Sequence, residues 1–214
     1  MKILVLTFLI LAAVSAARAQ TFYGTDSVQV FRDGREKEFR NPGTSPLKPE
    51  DLSNFKGLNY FPVDANYRVT AKFTATPGEQ YFWMPTSSGR SQKYVRAGVL
   101  KFKLNGRDYA LNAYQSERIM TDAKMKFFQN RLFVPFRDLT SGKETYGVGR
   151  YVYLTMPTAV GDELTLDFNL AFNPSCAYGN DQFSCPIPPK DNFLETEIKA
   201  GEKNYLEKKE ATQK

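Results

Sequence analysis

A chain of 214 residues with 42% hydrophobic and 24% charged side chains holds enough apolar material for one sizeable core. Its formal charge of +6 is too mild to mark a nucleic-acid binder. It contains no histidine, which excludes hydrolases that use an imidazole base and zinc, copper or haem sites held by imidazole.

Met1-Lys2 is a short positive start, and Ile3 to Ala16 is an apolar run of signal-peptide length. Ala17-Arg18-Ala19 fits the small-x-small cleavage rule. Residues 1–19 therefore read as a signal peptide, and the mature protein as exported, periplasmic or secreted, with no membrane span. Without Lys2 and Arg18 the charge falls from +6 to +4, and the remaining basic residues alternate with acids along the chain. No nucleic-acid partner is expected.

Residues 20–203 read as one domain, and 204–214 as a charged, fraying tail; the charged run itself begins at Glu202. Val28 to Phe39 can form a helix that places Val28, Phe31, Arg35 and Phe39 near one face, and its high charge leaves open that it only drapes over the domain. Pro49-Glu50-Asp51-Leu52 is a helix start, with Phe55, Leu58 and Phe61 as anchors. From Tyr67 the period changes to two: Tyr67, Val69, Ala71, Phe73 and Ala75 share one face of a strand. Pro77-Gly78 is a turn, and Tyr81 to Met84 a short strand.

Tyr94 to Leu104 and Asp108 to Tyr114 flank Asn105-Gly106, the strongest hairpin signal in the chain. Residues 115–130 fit either a helical turn or a strand. Leu132 to Phe136, Tyr146 to Met156 and Leu164 to Phe168 are further strands, the last introduced by a turn at Gly161-Asp162. Short strands broken by turns predict an all-β, antiparallel sandwich or partly closed barrel with a short N-terminal helical segment.

The stretch Phe136-x-Asp138-x-Thr140-Ser141-Gly142-x-x-Thr145-Tyr146-Gly147-x-Gly149-Arg150-Tyr151 resembles the signature of an uncharacterised bacterial family, domain-of-unknown-function family 1684. Asp167-Phe168-Asn169, Phe172-Asn173-Pro174-x-Cys176-Ala177-Tyr178 and Cys185-Pro186-x-Pro188-Pro189 are similar to its second half, and Ala200-Gly201-Glu202-Lys203 to its closing motif. Earlier pieces also fit, including Phe55-x-Gly57-Leu58-x-Tyr60-Phe61-Pro62. Phe172, Ser175 and Phe193 stand where a Tyr, a Pro and an Arg are usual. The resemblance implies an identity and no activity.

Cys176 and Cys185 form an even pair in a chain read as exported, which predicts a disulfide over a metal or redox pair. No metal and no cofactor is expected. Asp138, Thr140 and Ser141, with Thr145, Tyr146 and Arg150, fit a ligand cradle in which Arg150 clamps an anion. They equally fit a turn in which Asp138 caps the backbone amides of Ser141 or Gly142, with Arg150 as its buried partner or that of Asp167. Asp167, Asn169 and Asn173 are the second candidate group. Asp138 and Asp167 could act as an acid/base pair on a glycosidic bond or hold Ca²⁺, or satisfy buried amides. Tyr81, Phe82 and Trp83 could stack on a sugar ring or pack in the core. The expectation is a protein that binds a small polar molecule or carbohydrate around Asp138–Arg150. The alternatives are a histidine-free hydrolase using Asp138 and Asp167, and a structural envelope partner.

Overall fold

The computed structural model describes residues 27–158 and 163–205. Eight strands follow one another: β1 (Arg68–Ala75), β2 (Phe82–Pro85), β3 (Ser91–Leu104), β4 (Arg107–Ser116), β5 (Arg131–Asp138), β6 (Arg150–Thr155), β7 (Glu163–Asp167) and β8 (Phe193–Leu194). They form one sheet of order β6-β5-β4-β3-β1-β7, antiparallel throughout, with β2 added to β3 and β8 added in parallel to β5. The sheet curls into a half-barrel, so the all-β expectation holds in its partly closed form.

The longest ladder is the β3–β4 hairpin. Asn105 (φ 50°) and Gly106 (φ 78°) occupy the left-handed region that a two-residue turn requires. Pairing then runs from Leu104 opposite Arg107 to Tyr94 opposite Ser116. A register shift between Arg96 and Gly98 bulges β3 and adds twist to the curl.

Period-two alternation buries Phe73, Leu100, Phe102, Leu111, Phe136 and Leu166 in the main core. The other face carries Met84, Tyr94, Tyr114, Phe133 and Tyr151. Leu132 to Phe136 is an unbroken apolar run because β5 is covered on both faces. Pro135 lies in this strand and has no N–H to donate. The ladder to β4 includes only Tyr114 opposite Phe133, and buried Asn192 fills the gap beyond it. Its amide donates to the carbonyls of Asn112 and Pro135 and accepts from Asn112 N–H.

Helix α1 covers residues 27–40. It is docked: Val28 and Phe39 are buried, Phe31 lies 6.1 Å from the Phe172 ring, and Phe39 meets Tyr178 edge-on at 4.6 Å. Pro49–Asn54 forms a 3-10 turn, and Phe55 and Phe61 are buried. Residues 115–130 resolve into α2 (Glu117–Thr121) and a 3-10 stretch, Ala123–Phe128.

Three expectations shift. Residues 146–149 turn, and the strand begins only at Arg150. Gly149, at φ 123°, runs so close to β5 that a Cβ would sit 2.6 Å from the carbonyl oxygen of Phe136. Glu202 begins no frayed tail: it is fully buried, and Tyr205 packs on Tyr178. Trp83 is not core, being 64% exposed. The expected signal peptide, the turn at Gly161-Asp162 and the tail beyond residue 205 lie outside the described residues. No helix among the described residues is long and apolar enough to cross a membrane.

Candidate functional site

Two places on the half-barrel concentrate chemistry, and they differ in access to solvent. The first is the polar motif. Asp138 ends β5 and is 2% exposed; Arg150 begins β6 and is 0% exposed. One Asp138 oxygen accepts from Arg150 Nη2 at 2.9 Å. The other accepts from the backbone N–H and hydroxyl of Thr140 and from Ile198 N–H. Thr140 and Thr145 share a 2.8 Å hydroxyl contact, and the Ser141 hydroxyl accepts from Asp138 N–H. These contacts make a capped turn, with Thr140 capped in place of the expected Ser141 or Gly142.

Arg150 also donates to backbone carbonyls of a later segment, to Ala200 and Glu202 through Nη1 and to Ile198 through Nη2, while its buried Nε has no hydrogen-bond partner. Burial lowers its pKa, and the Asp138 charge opposes that shift. The anion facing the Arg150 guanidinium is thus the chain's own Asp138. Tyr146 stands at the border of this cluster, half-buried, with its phenol pKa raised by burial.

Asp167 and Asn169 do not join this cluster. Asp167 accepts from the backbone and side-chain amides of Asn169 and lies 3.6 Å from Arg68. Asn169 also exchanges two hydrogen bonds with the backbone of Asp64. Asn173 belongs to a third group around Glu202, whose carboxylate accepts from Asn173 N–H and Nδ2 and from the Tyr178 hydroxyl. Arg35 of α1 lies 3.8 Å from the same carboxylate. Burial raises the Glu202 pKa, with Arg35, Tyr178 and Asn173 opposing. Glu202 escaped the sequence reading because a charged run resembles a solvated tail; its place in the Ala200-Gly201-Glu202-Lys203 motif was the available signal.

Cys176 and Cys185 are disulfide-bonded with Cα atoms 6.1 Å apart. Ser87 ties this loop to the β2–β3 turn, donating to Cys176 Sγ and accepting from Cys185 N–H.

The second place is an aromatic cavity of about 170 Å³ on the face opposite the main core. Tyr94, Tyr114, Phe133 and Tyr153 make its walls, and Ile119, Met120 and Phe128 of the α2 segment form its lid side. Burial raises the pKa of Tyr94 and pushes that of Tyr114 up to about 12, so both phenols stay neutral at physiological pH. Arg131 stands at the rim with its guanidinium 4.9 Å from the Phe128 ring. Among the described residues it has no carboxylate partner. Beside it opens a shallower groove lined by Lys126, Phe127, Gln129, Asn130, Arg131 and Thr155. Arg131 is common to both.

A wider depression crosses the outer face of β1, β3 and β4 past Lys72, Lys101 and Lys103. It is open, and Asp108 and Glu163 offset its lysines. The aromatic cavity has the apolar lining and sparse charge of small-molecule sites, at a volume of about 170 Å³ that is below their usual ~300–1,000 Å³. Sequence reading missed it because its rings come from four separate strands and its lid from the stretch with ambiguous period.

A family model described as a protein of unknown function, DUF1684, matches residues 53–203. An uncharacterised protein of Haloarcula marismortui, solved by NMR in solution, is similar at 39% identity and a TM-score of 0.68. The match covers 88% of this chain and 98% of that one. No curated protein matches.

Proposed function

The chain belongs to DUF1684, a family of unknown function, and we propose that it binds a small, largely apolar molecule bearing an anionic group. The observation that carries this reading is the partly enclosed aromatic cavity with Arg131, which has no carboxylate partner among the described residues, at its rim. A cavity of about 170 Å³ takes one ring or a short chain, since an engineered apolar cavity of ~150 Å³ holds benzene. The anionic end would meet Arg131, and neutral Tyr94 and Tyr114 line the apolar body.

This moves the ligand away from Asp138, Thr140, Ser141, Thr145 and Arg150, whose polar groups, apart from Arg150 Nε, are bound to one another and to the backbone. It also weighs against the Asp138/Asp167 hydrolase. Both carboxylates are nearly buried, each with its own donors, whereas an acid/base pair needs an open cleft. Export fits the disulfide and the composition of residues 1–19.

The test is thermal unfolding against aromatic carboxylates, short fatty acids, sugars and nucleotides. A ligand at about a hundred times its Kd should add ~2.7 kcal/mol to stability. The expected result is a shift with apolar carboxylates only. Arg131→Gln should weaken it about tenfold, consistent with loss of one charge-assisted contact, and cavity-filling Ile119→Trp should abolish it. A shift that survives Ile119→Trp, or none across the panel, overturns the reading.

A further inference from the structure

The α2 segment leaves an apolar surface uncovered. Phe127 is 77% exposed, Phe128 37% and Met120 36%. These side chains surround the entrance of the cavity and the adjoining groove: Met120 and Phe128 line the first, and Phe127 the second. The Phe127 and Phe128 rings lie 5.5 Å apart, edge to face, and form one projecting ridge.

Cations outnumber acids around that ridge. Lys124, Lys126 and Arg131 flank it in sequence, and among the described residues none pairs with a carboxylate. The segment also carries two acids. Glu117 is held by Lys93 at 3.1 Å, and Asp122 accepts from Lys124 N–H at the start of the 3-10 stretch. An exposed aromatic ridge bordered by free cations matches an anionic bilayer surface: rings enter the headgroup boundary and Lys and Arg meet the lipid phosphates.

From this geometry we infer that the Met120–Arg131 segment docks on an anionic membrane surface and that the cavity takes its ligand from there. The inference rests on the binding role of the cavity and names its ligand class: an anionic amphiphile with a short acyl or aromatic portion inside. Arg131, shared by cavity and groove, receives the acidic group.

Trp83 is the only tryptophan of the chain, so the indole can be moved. The double variant Trp83→Phe/Phe127→Trp of the full chain is mixed with phosphatidylglycerol vesicles whose acyl chains carry bromine. Docking places the new indole at the acyl boundary, and its emission falls by at least half. Lys124→Glu/Lys126→Glu in the same background lowers the affinity at least about thirtyfold, at roughly 1 kcal/mol for each of the two cations near such a surface. Unquenched emission overturns the inference even when the chain sediments with the vesicles, because any other anchor leaves position 127 in water. Equal quenching on pure phosphatidylcholine overturns the role of the cations. The thermal shift with a soluble apolar carboxylate is read in the same variant. A retained shift without quenching overturns membrane docking alone, and loss of both overturns the cavity reading as well.

Discussion

Arg150 is the residue on which the polar motif turns. It is a fully buried cation with one carboxylate partner and three carbonyl acceptors. Truncating one member of such a pair strands the other in a medium that cannot solvate it. Arg150→Met should therefore cost ~3–5 kcal/mol, read from urea unfolding. Adding Asp138→Leu should recover much of that loss, because the uncompensated charge goes with it. A double variant as unstable as Arg150→Met would show that the carbonyl contacts, not the ion pair, dominate. Glu202 makes a separate prediction. Burial raises its folded-state pKa above the unfolded value of ~4.3. Its contribution to stability is then complete below that value and is lost as pH rises through the raised folded one. Urea titrations from pH 4 upward should show this decline in the wild type. Glu202→Gln lacks the titrating group, so the difference between the two curves should carry this decline.

Among the elements, the disulfide loop and the β3–β4 hairpin show two ways of fixing a turn. The hairpin needs only Asn105 and Gly106, because the flanking strands align themselves once φ turns positive. Residues 174–189 have little regular structure and lean on Cys176–Cys185 and on Ser87. Closing so short a loop is worth about 2–3 kcal/mol. Reduction should lower the Tm, and Cys176→Ser/Cys185→Ser should show the same lower Tm with or without reductant. Asn192 illustrates a third device, a side-chain amide standing in for ladder bonds beside a proline strand residue.

Across the whole molecule, period-two alternation was enough to find β1, β3, β4 and β7, because each buries one face and wets the other. β5 was readable for the opposite reason, as a run covered on both sides. The docking of α1 was only half legible. Val28 and Phe39 carried the signal, but its partners Phe172 and Tyr178 lie far along the chain. The motif around Asp138 was legible as a unit, although its carboxylate caps Thr140 rather than Ser141 or Gly142. What sequence could not supply was the meeting of Arg150 with residues 198–202, nor the cavity, which exists only where four strands and α2 converge. Both depend on separations that no local period encodes.

That meeting also constrains how the protein is made. Arg150 and β5 stay unfinished until Ile198, Ala200 and Glu202 arrive, and Asp138 lacks one of its donors until then. Translation delivers these residues about fifty positions after the arginine they grip. A nascent polypeptide stopped short of residue 198 leaves the Arg150 guanidinium without its carbonyl acceptors, so this corner of the fold cannot close until the Ala200-Gly201-Glu202-Lys203 motif has emerged.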